Sequence, residues 1–411
     1  MAEGDNPRIC PHCGNPLPAG ATQCPHCNSR LSLILHSRET VLSLTAAIVI
    51  VLFFLTGFIT RGYHEKLKAL GEQWFEAGER QLHSGNAGVA LEDFHTALVY
   101  RPDDAQIQFR LAEALAADHR DSEARAYLLG LLARNPSDAP INLALARISA
   151  ANGADADTLR YYHGAIYGVW PKNPEANRLN ARLELSRFLI GRNDTSIADA
   201  ELIALVSEIP EKHGAELHAQ AGDLFLRIGD AKHALPEYRS ALTVKHPSAN
   251  SVRGAGLAAY QLGEYQEAER YLERAHRLRT SDADVTSALV LSRLVISADP
   301  YLRGLSEAER RTRAQRDFAQ AFSRLQACAK KGANVSTSAA PQSDLVALTS
   351  QAKALRPRLT ERNLRLHPSQ VNVAMNLVYA MENAATTECG EAQGIDEALT
   401  LIGKFRQGRE R

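Results

Sequence analysis

The chain has 411 residues, with 47 lysines and arginines against 47 aspartates and glutamates, so its formal net charge is +0. This length exceeds one ordinary hydrophobic core, and we therefore expect several modules. The balanced charge excludes the basic electrostatic field that bulk binding to nucleic acid requires.

Four of the six cysteines crowd the N-terminus as two Cys-x-x-Cys hooks. Cys10 and Cys13 form the first hook, and Cys24 and Cys27 form the second after ten intervening residues. Two such hooks are the usual way to place four thiolates tetrahedrally on one Zn²⁺, and a four-thiolate site has no open position for catalysis. We therefore expect these cysteines to hold one structural zinc ion at residues 8–30.

The doubled Cys-Pro-His-Cys sequence resembles a short zinc ribbon of the kind found at the head of many bacterial membrane proteins. A segment this small has no core, so we expect residues 8–30 to be unfolded without metal. Two alternatives stay open. The four cysteines form two disulfides, which would need an oxidising compartment, or His12 or His26 replaces one thiolate as a ligand.

A segment without charged residues follows, between Glu39 and Arg61. Its 21 residues, at ~1.5 Å each, match the ~30 Å hydrocarbon core of a bilayer. Because the segment is apolar on every face and no cleavage site follows it, we predict one uncleaved transmembrane helix at residues 40–60. The alternative is a helix buried in a large core.

Two signals disagree on the orientation of this predicted helix. The flanking basic residues, Arg30 and Arg38 before it and Arg61, Lys66 and Lys68 after it, favour a cytoplasmic C-terminal side. The thiols favour the reverse, because four reduced cysteines persist best in a reducing compartment. We give the thiols more weight and expect a cytoplasmic ribbon and a periplasmic C-terminal part.

After this segment, residues recur with a period of 34, which is the signature of stacked helix pairs. The recurring pairs in the sequence are Ala90 and Ala124, Pro102 and Pro136, Gly222 and Gly256, Gly229 and Gly263, Ala234 and Ala268, and Ala241 and Ala275. Arrays of this kind present a surface and rarely carry chemistry.

The sequence from Gly71 resembles the tetratricopeptide repeat, with signature residues at Trp74, Ala77, Gly78, Ala90, Phe94, Ala97 and Pro102. The resemblance implies an all-α fold, a right-handed helical solenoid with repeats at 69–282 and a degenerate helical extension at 283–407. Gly78 and Ala90 are expected to let the two helices of a pair touch, and Phe94 to fill the seam to the next pair.

In the C-terminal extension, Ser306 and Glu309 form a capping box that predicts a helix running toward Cys328. The arginine-rich stretch 303–316 is interleaved with acids, which favours a solvated helix face. Residues 331–343 predict a loop. Cys328 and Cys389 form either a disulfide or two buried thiols, and the sequence leaves both alternatives open.

The resemblance also implies a concave groove lined by the first helix of each pair. Carried onto this chain, the groove residues are Phe75, Glu79, Phe109, Glu113, Arg147, Asp223, Arg253, Leu257 and Tyr260. The lysines and asparagines that hold a terminal carboxylate in some relatives are absent from the first units. We therefore predict an apolar or basic partner segment near residues 75–113. Packing of the same side chains against neighbouring helices is an equal alternative.

No pattern typical of a catalytic site stands out, so we expect no enzyme and no small-molecule substrate. His119-Arg120-Asp121 spells a fragment of a kinase catalytic loop, but it is expected at a turn between helices. The predicted function is a membrane-anchored scaffold or assembly factor that binds other proteins or peptides through the groove and the bilayer through residues 40–60. Alternatives are a regulator whose ribbon contacts nucleic acid or a cytoplasmic partner, and an enzyme with a site in 283–411.

Overall fold

The computed structural model describes residues 8–30, 34–210, 214–278, 282–333 and 342–409. The chain divides into two compact units, Met1–Pro136 and Ser137–Arg411. Within the described residues, the secondary structure consists of helices, and strand-like pairing is limited to isolated bridges. The prediction of an all-α fold is therefore confirmed.

Among its described residues, the first unit contains the cysteine-rich segment and four helices. These are α1 (Ile34–His83), α2 (Ala87–Tyr100), α3 (Ala105–Ala117) and α4 (Asp121–Arg134). Helix α1 is one uninterrupted helix of 50 residues, and it contains both the predicted membrane segment and the first helix of the first repeat. Its part from Thr40 onward is long and apolar enough to cross a membrane, and the side chains of residues 40–60 are exposed.

The helices α1 and α2 pack closely because a glycine faces a large ring. A Cβ atom on Gly78 would lie 2.6 Å from the ring of Phe94, so any larger residue would force the two helices apart. The Phe94 ring also lies 5.9 Å, centroid to centroid, from the ring of Phe75. Phe94 thus packs inside its own helix pair, because its ring fills the space that Gly78 leaves. The sequence had predicted it in the seam to the next pair.

The second unit contains fourteen α-helices among its described residues. They are α5 (Ala139–Ala151), α6 (Asp155–Tyr167), α7 (Pro174–Gly191), α8 (Thr195–Glu208), α9 (Ala215–Arg227), α10 (Ala231–Ala241), α11 (Ala249–Gln261), α12 (Tyr265–Leu278), α13 (Ala283–Ala298), α14 (Glu307–Ala333), α15 (Gln342–Leu355), α16 (Glu361–Leu366), α17 (Ser369–Cys389) and α18 (Ile395–Arg409). A short 3₁₀ helix, Arg356–Arg358, lies between α15 and α16.

The second unit uses the same glycine-to-large-residue contact as the first. A Cβ atom on Gly222 would lie 3.0 Å from the Tyr238 ring, and one on Gly256 would lie 2.8 Å from Leu272. Each large residue follows its glycine by 16 positions, as Phe94 follows Gly78. This recurring contact explains physically why small residues recur in the sequence at the repeat period.

The turn inside most of these helix pairs has a residue in the left-handed backbone region. Gly85, Gly153, Gly229 and Gly263 occupy it with φ between 70° and 81°. His119 occupies the equivalent position between α3 and α4 with φ 61°, a conformation that costs a non-glycine residue roughly 1 kcal/mol. The kinase-like triplet that begins at His119 is therefore part of a turn between helices.

The C-terminal part of the second unit is fastened by a disulfide and by packing between distant helices. Cys328 of α14 and Cys389 of α17 are joined by a disulfide, with their Cα atoms 5.8 Å apart. Phe405 of α18 packs on Gly263 and on Tyr265. Of the loop predicted at 331–343, residues 334–341 lie outside the described residues, and the first three residues belong to α14.

The arginine-rich stretch 303–316 differs from the solvated face that its sequence predicted. Arg313 donates hydrogen bonds to the carbonyls of Ile296 and Asp299 at 2.6 and 3.0 Å, and Arg316 donates to Ser297 O at 2.8 Å. These carbonyls end α13, where the helix lacks its own donors and the helix dipole favours cations. The arginines of α14 therefore cap the preceding helix.

Candidate metal centre and peptide groove

The two cysteine hooks of the ribbon have the same local backbone. Gly14 N–H donates to Cys10 O and Asn28 N–H donates to Cys24 O, each at 2.9 Å. Gly14 and Asn28 both take positive φ, 73° and 59°, which closes each hook after its second cysteine. The hydrogen bonds of the first hook therefore recur in the second, 14 residues later.

The four sulfur atoms of these hooks come together in one cluster. All four Sγ atoms lie within 4.8 Å of one another. Across the hooks, Cys10 Sγ lies 3.7 Å from Cys27 Sγ, and Cys13 Sγ lies 3.5 Å from Cys24 Sγ. A tetrahedron with Zn–S bonds of ~2.3 Å has sulfur atoms about 3.8 Å apart, so the cluster fits a four-thiolate zinc site.

Groups around Cys10 and Cys27 favour the thiolate form that a metal requires. At Cys13 the backbone N–H of Asn15 lowers the pKa, but burial and the neighbouring sulfurs outweigh it and raise the pKa to about 12. The backbone N–H of His12 lowers the pKa of Cys10 to about 6. The Ser29 hydroxyl lies 3.0 Å from Cys27 Sγ and lowers the pKa of that thiol. The side chains of His12 and His26 are exposed. The residues present can therefore hold Zn²⁺ through four thiolates, with His12 and Ser29 supplying hydrogen bonds to the sulfurs.

In the first unit, the predicted groove residues are largely engaged with their neighbours. Phe75 is buried and Phe109 is half-buried. Arg110 lies between the two glutamates, with its Nε 3.0 Å from Glu79 Oε1 and its Nη1 2.6 Å from Glu113 Oε2. These ion pairs neutralise the acidic charge from which the sequence predicted a basic partner near residues 75–113.

In the second unit, three of the predicted groove residues border one cavity of about 770 Å³. Asp223 and Leu257 line it together with Arg253, which is held by Asp282 Oδ2 at 2.7 Å. Arg147 does not line this cavity, and its guanidinium forms a two-point contact with Glu184 at 2.6 and 2.9 Å. The structure thus brings together only part of the predicted groove set.

A buried tyrosine forms part of the wall of this cavity. The Tyr238 hydroxyl donates a hydrogen bond of 2.5 Å to Asp223 Oδ1, and burial raises the pKa of the tyrosine. Gly222 and Gly254 face the ring, and a Cβ on Gly254 would lie 2.2 Å from it. The two glycines therefore make room for a ring that fixes the carboxylate of Asp223.

Two arginines that the sequence analysis missed complete the wall of the cavity. Arg187 donates to the neutral side chain of Gln220 at 2.7 Å, and Arg227 is exposed. Across the described residues, neither guanidinium has a carboxylate within ion-pair distance. Among the described residues, the cavity therefore presents two arginines without an ion pair, together with the carboxylate of Asp223 that accepts the Tyr238 hydrogen bond.

A break in the 34-residue period explains why Arg187 was missed. Helix α7 has 18 residues, where most first helices have 13. The left-handed turn after α7 falls at Asn193, which is 40 residues after Gly153 and 36 before Gly229. A count in steps of 34 residues from the earlier repeats therefore assigns the residues of α7 to the wrong faces of that helix. The length of α7 between Pro174 and Asn193 is the signal that could have corrected the count.

Tyr260, the last predicted groove residue, belongs to a neighbouring cluster. It is half-buried, and its ring lies 5.8 Å from that of Tyr265 in an edge-to-face arrangement. Burial raises the pKa of Tyr260, and the nearby carboxylate of Glu397 raises it further. Tyr260 therefore lies beside α18, next to a second cavity that Glu397 lines.

Comparison with solved structures finds helical-repeat proteins at low similarity. PilW, a type IV pilus biogenesis factor, is 15% identical with a TM-score of 0.41, over 54% of this chain and 98% of that one. PilF of Pseudomonas aeruginosa is 13% identical with a TM-score of 0.40, over 54% and 96%. The TPR domain of P58(IPK) is 16% identical with a TM-score of 0.27, over 83% and 99%. At such scores these likenesses carry no further argument, and a search of the curated proteins gives no match.

Family models give the more specific result. Tetratricopeptide-repeat models match residues 81–148 and 220–283, and a zinc-ribbon model matches residues 9–31. Repeats of this type are protein-interaction modules and not typically enzymes. The chain therefore contains tetratricopeptide repeats at residues 81–148 and 220–283 and a zinc-ribbon domain at residues 9–31.

Proposed function

We propose that this protein is a membrane-anchored interaction scaffold whose second unit holds an acidic segment of a partner protein. The observation that carries the proposal is the pair of arginines, Arg187 and Arg227, which line one cavity and have no carboxylate partner among the described residues. The other cation on that wall, Arg253, is already neutralised by Asp282 and Asp284. An acidic segment would supply the charges that the two arginines lack.

Leucines and a tyrosine give this cavity an apolar component as well. Leu224, Leu226 and Leu257 line it beside the ring of Tyr238. A segment with carboxylates and one or two apolar side chains would therefore match both kinds of surface. In the first unit, Arg110 forms ion pairs with both Glu79 and Glu113 and neutralises part of their charge, so we propose the partner site in the second unit.

Two further parts complete the proposal. Residues 40–60 of α1 anchor the chain in a bilayer, and the ribbon at residues 8–30 binds one structural zinc ion. The cysteines support opposite compartments for the two ends, because Cys10, Cys13, Cys24 and Cys27 are free while Cys328 and Cys389 are bonded. We therefore propose a cytoplasmic ribbon and periplasmic repeats. Anchoring would raise the effective concentration of a partner at the membrane.

The test is peptide binding to the purified full-length chain in detergent, measured by fluorescence polarisation. The probes are short labelled peptides rich in aspartate and leucine, and matched peptides in which lysine replaces aspartate. We expect the acidic peptide to bind. The double variant Arg187→Gln and Arg227→Gln should lose roughly tenfold or more in affinity, since two charge-assisted contacts disappear.

The matched control removes two exposed arginines of α12 that do not line the cavity, Arg270→Gln and Arg274→Gln. It changes the net charge by the same amount and should leave the affinity within about twofold. Equal losses in both double variants, or equal binding of the lysine peptide, would contradict an acidic-segment site.

A further inference from the structure

A second cavity lies in the second unit between α13 and the beginning of α18. Its volume is about 500 Å³. The α13 wall includes Val290, Leu291 and Leu294, and the α18 side contributes Gly394 and Glu397. Val290 is 51% exposed, whereas the next residue of α13, Leu291, is buried. The cavity therefore combines an uncovered apolar wall with two carboxylates, those of Glu397 and Asp282.

The side chain of Glu397 is half-buried. In the part of the chain that the structure describes, no hydrogen bond or ion pair reaches it. Burial raises the pKa of Glu397, and the charge of Glu391 raises it further. A half-buried acid beside an apolar wall is costly when left alone, and a cation with an aliphatic stem would relieve that cost.

The two cavities of the second unit adjoin. Asp282 lines both of them, and its carboxylate is held by Arg253. The α7–α11 side of this shared residue presents Arg187 and Arg227, and the α18 side presents Glu397. Among the described residues, the charges without an ion pair are thus Arg187, Arg227 and Asp223 in the first cavity and Glu397 in the second, so the unpaired cations lie in the first cavity.

We propose that the α13–α18 cavity binds a lysine or arginine side chain of the partner segment, with an adjacent apolar residue on Val290 and Leu294. The ligand of the second unit is then a bipolar segment, acidic at one end and basic and apolar at the other. This inference rests on the proposed function, because it extends the same bound segment from the arginines across Asp282 to Glu397. The charge order fixes the direction in which the segment lies.

The experiment uses the full-length chain in detergent and four fluorescent peptides of equal length. One carries only aspartates, one carries only a lysine–leucine cluster, and two carry both clusters in opposite orders. We expect one bipolar order to bind roughly tenfold more tightly than the aspartate peptide. Glu397→Gln should reduce the affinity of that bipolar peptide to the level of the aspartate peptide, whose own affinity should not change.

The control variant is Glu391→Gln, which removes a nearby exposed charge that does not line the cavity. We expect Glu391→Gln to change the affinity of the bipolar peptide by less than about twofold, because its carboxylate does not contact the bound segment. A loss equal to that of Glu397→Gln would mean that long-range electrostatics, and not contact in the cavity, causes the effect, and would overturn the inference.

The outcomes also separate this inference from the proposed function. Binding of the aspartate peptide that depends on Arg187 and Arg227, with no gain from the lysine–leucine cluster, would leave the scaffold proposal standing and refute the second site. Binding of the lysine–leucine peptide that depends on Glu397, with no effect of the arginine variants, would support the second site and refute the acidic-segment proposal.

Discussion

Asp317 lies in α14 with no exposed surface. Its Oδ1 atom is 3.3 Å from Arg316 Nη2, but its Oδ2 atom has no hydrogen-bond partner among the described residues. Burial raises the pKa of Asp317 to about 7, and Arg316 offsets that effect only in part. The folded state therefore holds a proton on this carboxyl group at pH values where an exposed aspartate would have lost it.

We predict that the stability of the second unit falls as the pH rises from about 4 to about 7. A carboxyl group with a raised pKa binds more protons in the folded state than in the unfolded state across that window, so folding is favoured at its acid end. Asp317→Asn should remove up to roughly 4 kcal/mol of this pH dependence, with the variant relatively more stable at pH 8. Urea denaturation followed by circular dichroism at pH 5 and pH 8 measures the effect.

Burial also raises the pKa of Glu382 to about 7. Glu382 therefore makes the free energy of unfolding fall with pH in the same direction, and this contribution remains in Asp317→Asn. The control is Glu388→Gln in α17, an exposed glutamate. A denaturation midpoint of Asp317→Asn that shifted between pH 5 and pH 8 as much as that of the wild-type chain would rule out the assigned role of Asp317.

At the scale of single residues, the sequence predicts what local spacing controls. The sequence predicts the zinc ligands because each hook is defined by two cysteines three positions apart. The structure brings all four sulfurs together, those of Cys10, Cys13, Cys24 and Cys27. Arg110 was not found, because its ion pairs to Glu79 and Glu113 depend on how two helices pack. Glu397 was missed for a similar reason, since its cavity forms only when α18 lies beside α13.

At the scale of elements, the ribbon is two hooks that fold around one ion. Each hook supplies two sulfurs and few apolar contacts, and in the ribbon only Cys10 and Cys24 are buried. The free energy of metal binding is then the main free energy of folding for residues 8–30.

We predict one zinc ion per chain and its loss in Cys24→Ser, with affinity reduced by roughly a hundredfold or more because one of four thiolates is missing. Plasma mass spectrometry of the purified protein measures the metal content. Hydrogen exchange of residues 8–30 reports whether the ribbon unfolds with metal removal. The matched control is the double variant Cys328→Ser and Cys389→Ser, which should keep its zinc.

Zinc retained in Cys24→Ser but lost in His12→Ala would assign a histidine ligand instead. An ordered ribbon after complete removal of zinc by a chelator would refute the coupling of metal binding to folding.

The helices themselves were largely predictable, because the packing contact that defines a pair joins residues 16 apart on adjacent helices. The sequence shows this spacing between a glycine and a large residue at Gly78 and Phe94 and again at Gly222 and Tyr238. The continuity of α1 was not predicted. The apolar segment and the first repeat have different compositions, but the residues that join them, 61–70, contain no proline and let the helix continue.

At the scale of the whole molecule, the two states of the cysteines, free in the ribbon and bonded in the second unit, support the proposed arrangement across a membrane. The ribbon has four free cysteines, and the second unit has one disulfide. A single compartment rarely favours both states, since reducing conditions open disulfides and oxidising conditions consume free thiols. The period of the repeats carries no such information, which is why the sequence left the orientation to two conflicting signals.

We predict that a C-terminal tag is digested by protease added to spheroplasts of a Gram-negative host that produces the chain. An N-terminal tag should be digested only after lysis, because it would lie on the cytoplasmic side with the ribbon. Immunoblotting of both tags, with a cytoplasmic marker protein as the control for leakage, gives the measurement. Protection of the C-terminal tag would reverse the proposed orientation.

The unbroken course of α1 gives the proposed anchored protein a mechanical property. From Thr60 to His83 the same helix continues for 23 residues beyond the apolar segment, or about 35 Å. A transmembrane helix can respond to a change in bilayer thickness by tilting, and a change in tilt of ~10° would move the far end of such a lever by ~6 Å. Because Phe94 of α2 packs on Gly78 of this helix, the first repeat would move with α1 when the bilayer thickness changes.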